Sequence, residues 1–87
     1  MPKVTYLDTA ADKRVRALTS TIESKYGPVL DMKQAAEAIG YSRWTLYALV
    51  KDKKIAFIRN GGKGSTIKFS ASDLARYVES QRQEARA

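Results

Sequence analysis

Residues 42–51 carry an arginine, a tryptophan, a tyrosine and a lysine at spacings that would set them on one side of a helix. If Leu46, Leu49 and Val50 turn inward, then Arg43, Trp44, Tyr47, Ala48 and Lys51 turn outward. Such a surface performs no covalent chemistry. It can recognise a polar, negatively charged partner by charge-assisted hydrogen bonds. Arg43 falls in the first turn, where it can grip the O6/N7 edge of a guanine or contact phosphate alone. Thr45 and Tyr47 can donate to phosphate or meet a thymine methyl group, and Tyr47 can equally be half-buried packing. Trp44 admits three readings: a filler between helix and hairpin, a DNA contact, or a protein interface. Ser42 precedes this surface and can accept a hydrogen bond from the first free amides of the helix.

Further cations follow. Lys54 falls in the turn after the helix, and Arg59, Lys63 and Lys68 fall in the next two hydrophobic stretches and the glycine-rich segment between them. Between Tyr41 and Phe69 the only acidic residue is Asp52, so this third of the chain holds a surplus of six of the net +7. Residues 1–40 and 70–87 are nearly balanced in sign. A coat serving solubility would mix signs along the whole chain, whereas a one-signed block reads as a footprint for a polyanion.

Composition excludes much else. The chain has 87 residues, no histidine and no cysteine. Thiolate and imidazole metal sites and disulfides are therefore ruled out, and no metal or cofactor is implied. Asp31 and Asp73 read as helix caps, and no carboxylate pair suggests an active site, so an enzyme is not expected. The Gly61–Gly64 segment departs from the phosphate-binding loop pattern and lacks its strand-to-helix context. No apolar run approaches the length of a membrane helix, no secretory signal opens the chain, and a cytoplasmic location is expected.

Several elements must hold these side chains. Asp31 and Gln34 form a capping-box pattern, with Leu30 and Ala35 placed for a hydrophobic staple. Met32, Ala35, Ala36 and Ile39 make the inward stripe of a short helix, and Gly40 can end it in the left-handed conformation. Ser42 then starts the second helix almost at once, which is a helix-turn-helix signature. Upstream, residues 9–26 begin with a cap at Thr9 and carry Ala11, Val15, Leu18, Ile22 and Tyr26 on one stripe, before Gly27 and Pro28. That stripe either covers the core or forms a dimerisation face. Val4, Tyr6 and Leu7 could form a short strand or a pinned arm. Residues 54–59 and 66–69 read as two strands around a turn at Asn60, Gly61, Gly62, Lys63 and Gly64, giving a β-hairpin with a basic tip. Ser70 and Asp73 start a closing helix with Leu74, Tyr77 and Val78 inward, and residues 81–87 are expected to fray.

In its order and spacing this pattern resembles the excisionase-type winged-helix domains, related to MerR-like regulators and to AlpA-type phage and plasmid regulators. The resemblance rests on residues 30–47: Leu30 and Asp31 before a helix carrying Ala35 and Ala36, then Gly40, Tyr41 and Ser42 opening a second helix. A strand, a glycine-rich wing, a second strand and Asp73-Leu74 at the last helix continue it to about residue 80. It implies an α+β, mainly α, winged helix-turn-helix with a β-hairpin wing and a C-terminal helix, in one domain spanning 1–87: arm and extra helix 1–29, core 30–80, tail 81–87. The helix at 9–26 is additional to the minimal domain, and Trp44 stands where a small residue is frequent. By resemblance the protein would bind double-stranded DNA through Ser42, Arg43, Trp44, Thr45, Tyr47, Lys51, Lys54, Arg59, Lys63 and Lys68. Helix 42–51 would enter the major groove, and the wing at 59–68 would lie on the backbone or in the minor groove. An integrase or recombinase would be a partner, and dimers or cooperative arrays on repeated sites are expected. The alternatives are a protein-interaction adaptor using helix 9–26 and Trp44, or an RNA-binding protein.

Overall fold

The computed structural model describes residues 9–59 and 66–83. The expectations for residues 1–8, for the turn at Asn60–Gly64 including Lys63, and for the end of the tail lie outside the described residues. Four helices and three short strands follow one another: α1 (Ala10–Tyr26), β1 (Val29–Asp31), α2 (Met32–Ile39), α3 (Arg43–Lys51), β2 (Ile58–Arg59), β3 (Ile67–Ser70) and α4 (Ala71–Ser80). This is an α+β winged helix-turn-helix, mainly helical.

Each helix starts where a short polar side chain can satisfy the free amides of its first turn. Thr9 Oγ1 accepts from the Asp12 amide at 3.0 Å, and the Asp12 carboxylate accepts from the Thr9 amide at 3.4 Å. The Asp31–Gln34 pair makes the same reciprocal box, at 2.8 and 3.1 Å. Ser42 and Ser70 each accept one amide hydrogen bond, from Thr45 and Asp73.

The ends of α2 and α3 share a geometry with different residues. After α2, Gly40 adopts φ 77°, ψ 23°; its amide donates to the Glu37 carbonyl, and the Tyr41 amide donates to Ala36 at 2.9 Å. After α3, Lys53 is left-handed at φ 58°; its amide donates to Val50 and the Lys54 amide to Leu49. Both are the paired Schellman arrangement, which usually takes glycine at its left-handed position. Lysine has no such freedom, and the two hydrogen bonds to the last turn hold it there.

The sheet differs from the expected hairpin. Its order is β1–β3–β2, all antiparallel, with Leu30 opposite Phe69 and Arg59 opposite Ile67. The stretch 54–59 was expected to be a strand throughout, but only Ile58 and Arg59 pair. Ile55 is drawn into the core at a bend, only 5% exposed, and leaves the ladder's plane. The third strand, β1, runs directly into the cap of α2, so the helix-turn-helix is fastened to the wing by backbone hydrogen bonds.

Leu30, Ala35, Leu46, Phe69, Ala71 and Leu74 are fully buried and bring α2, α3, the sheet and α4 into one core. α1 joins it through buried Ile22, with Leu18 and Tyr26 packed alongside, and makes its most extensive contacts with α4. Much of its apolar stripe is therefore used within the chain. The Tyr26 hydroxyl also donates to Glu37 on α2 at 3.0 Å.

A two-pronged ion pair fastens α1 to α4. Arg14 Nε lies 2.9 Å from Glu79 Oε1, and Arg14 Nη2 lies 2.6 Å from Oε2. The hydrogen bond from Arg14 holds the Glu79 carboxyl below the usual glutamate range, against a smaller opposing effect of burial, with the charges of Arg14 and Arg82 adding to the lowering. A lowered folded-state pKa contributes stability above the unfolded value and loses it as pH falls through the folded one. Glu79→Gln should therefore melt below wild type at neutral pH, and the gap should close as pH drops below about 4. Thermal melts of both proteins across that range check it; a gap independent of pH would contradict the pairing.

Candidate nucleic-acid interface

α3 is amphipathic in the way its spacing requires. Leu46 and Val50 are buried, at 0% and 5% exposure, and Leu49 packs against the core. Ser42, Arg43, Trp44, Thr45, Tyr47, Ala48 and Lys51 are all exposed. Trp44 is 84% exposed and Tyr47 54%. The reading of Trp44 as a filler between helix and wing is thus corrected: its ring points to solvent because α3's core-facing positions are already taken by Leu46, Leu49 and Val50. Tyr47, at 54% exposure, keeps close to half of its surface covered and turns the rest to solvent.

Ser42 has a positioning role. Its hydroxyl accepts the Thr45 amide at 3.1 Å and donates to Thr45 Oγ1 at 3.0 Å. Those bonds hold the first turn, from which Arg43 and Trp44 project. Arg43, Trp44 and Tyr47 come together with Met32, from the first turn of α2, around an open groove of about 420 Å³. Met32 was expected only on the inward stripe of α2. It is partly buried and also walls the groove, a double role that its place one residue after the cap allows.

The remaining described cations of the expected surface stand apart from this groove. Lys51 is exposed at the last turn of α3, and Lys54 is exposed beyond the Schellman turn, outside any strand. Lys68 is half-buried on β3, opposite Ile58 on one side and Asp31 on the other. Arg59 is exposed opposite Ile67, with its guanidinium 5.8 Å from the centre of the Phe57 ring. Side chains alternate along a strand, so Arg59 shares a sheet face with Ile67 and Phe69, while Lys68 lies on the other. Among the described residues the ribbon thus carries one cation on each face rather than two on one.

Among the described residues no helix is long and apolar enough to cross a membrane. In comparison with known proteins, a family model described as a helix-turn-helix domain matches residues 29–82. The matched stretch begins at β1 and runs past the end of α4, so α1 lies before it. No curated protein and no solved structure matches.

Proposed function

The chain belongs to the helix-turn-helix domain family, an excisionase/AlpA-like group of DNA-binding proteins, and on that premise we propose that it binds double-stranded DNA with α3 in the major groove. The ribbon of β2 and β3 lies against the backbone or in the adjacent minor groove. The protein acts as an accessory factor in site-specific recombination or as a small phage or plasmid regulator. It does no chemistry itself; it positions DNA for a partner such as an integrase, in the cytoplasm, and binds repeated sites as a dimer or array.

One observation carries this reading: α3 turns Arg43, Trp44, Thr45, Tyr47 and Lys51 to solvent while its other side is anchored by Leu46 and Val50. A helix so divided fits the major groove, whose base edges offer a distinct donor and acceptor pattern. Five described cations (Arg43, Lys51, Lys54, Arg59 and Lys68) supply the phosphate attraction.

The test is a titration of wild type and Arg43→Ala onto duplex containing candidate attachment or promoter sites. Loss of a bidentate guanine contact, ~1–3 kcal/mol, should weaken binding by about 5- to 150-fold and relax preference at one base pair. A phosphate-only role would instead weaken all sequences evenly. Affinity unchanged by the substitution would overturn the placement of α3.

A further inference from the structure

We propose that the groove between Met32, Arg43, Trp44 and Tyr47 receives the 5-methyl group of a thymine, while Arg43 engages the polar edge of the neighbouring base. The inference rests on the DNA-binding reading and names what the site selects. Its starting point is the exposure of Trp44, at 84%, and of Tyr47, at 54%, one turn further along the same helix face. The Tyr47 hydroxyl and the Trp44 indole N–H can each donate one hydrogen bond to a phosphate or a base edge, but the ring faces cannot. They gain when covered by an apolar group.

On the floor of the major groove that apolar group is the thymine methyl; the other marks there are hydrogen-bond donors and acceptors. Met32 closes the apolar side of the groove from α2, and Arg43 supplies its polar side. One guanidinium beside an apolar wall matches an acceptor edge beside a methyl group. Trp44 also lies in the first turn of α3, held there by the Ser42–Thr45 hydrogen bonds, and recognition helices meet bases with their first turn. The aromatic pair therefore meets base edges in a paired duplex rather than the faces of unstacked bases.

Replacing thymidine by deoxyuridine removes the methyl and leaves every hydrogen-bonding group in place. A random-sequence duplex pool is bound and sequenced, and the enriched duplex is resynthesised with each thymine in turn replaced by uracil. The whole pool, made with deoxyuridine throughout, is run in parallel, so that a protein with little sequence preference still gives a result. Uracil should weaken binding about fourfold at the position that meets the groove, the factor implied by burying one methyl-sized group. The Trp44→Ala protein should bind thymine and uracil duplexes alike; its folding is checked by its melt. Equal binding of both duplexes by wild type, while Arg43→Ala still weakens binding, overturns the methyl contact and leaves the DNA-binding reading standing. Tighter binding of the same sequence as a single strand overturns it too, by placing the aromatic pair on base faces. Absence of binding to any duplex removes both.

Discussion

Phe69→Ala should lower the melting temperature by at least about 12 °C and reduce DNA binding by the fraction of the protein that it unfolds. Among the described residues Phe69 is the largest fully buried side chain; it pairs with Leu30 across β1 and β3 and sits among residues of α2, α3 and α4. Truncating a buried phenylalanine costs about 3–5 kcal/mol, because the cavity is only partly refilled. Typical stability for a chain of 87 residues is about 4–13 kcal/mol. The loss is therefore a large share of the total, and only near the bottom of that range does it leave the protein mostly or partly unfolded. Trp44→Ala serves as the contrast. That ring touches mostly water, so its removal should change stability by no more than about 0.5 kcal/mol. Circular dichroism melts and urea titrations of both variants check the pair. Similar melts for the two would mean that the sheet does not anchor the helix-turn-helix.

Affinity for duplex DNA should fall about 250-fold between ~50 and ~200 mM monovalent salt. Each phosphate neutralised contributes close to −0.9 to the slope of log K against log salt, and four or five contacts give about −4. Arg43, Lys51, Lys54, Arg59 and Lys68 are the described cations assigned to this, with Lys53 exposed beside them. Arg14 and Arg76 are not, because each is already paired, with Glu79 and Asp73. A slope near −1 would mean that α3 and the ribbon do not reach the backbone together. Lys68→Ala and Arg59→Ala should each make the slope about one unit shallower. Because the two residues lie on opposite faces of the ribbon, a change for only one of them would show which face meets the DNA.

Much of this fold was legible locally. Thr9 with Asp12, Asp31 with Gln34, Ser42 and Ser70 all cap the helices that their sequence patterns announce, because capping depends on atoms three residues apart. The inward positions Leu46 and Val50 and the outward positions Arg43 and Lys51 followed from helical spacing alone. What could not be read depended on distant partners or on strain. β1 is three residues long and becomes a strand only because β3, far along the chain, pairs with it. The end of α3 carries no glycine; Lys53 is left-handed because the turn's hydrogen bonds and the burial of Ile55 demand it. The exposure of Trp44 was undecidable from spacing, since outward on a helix is not outward on a molecule until every neighbour is placed. Met32 is the reverse case, assigned inward and found at the edge of the groove as well.

Trp44 is the only tryptophan in the chain, so its fluorescence reports on the proposed surface itself. Acrylamide quenching of the free protein should be efficient, as an 84% exposed ring requires. Duplex DNA at low salt should shield it strongly, and added salt should restore quenching along the steep slope given above. A protein–DNA complex that forms while Trp44 stays as quenchable as in the free protein would contradict the placement of α3 against the DNA.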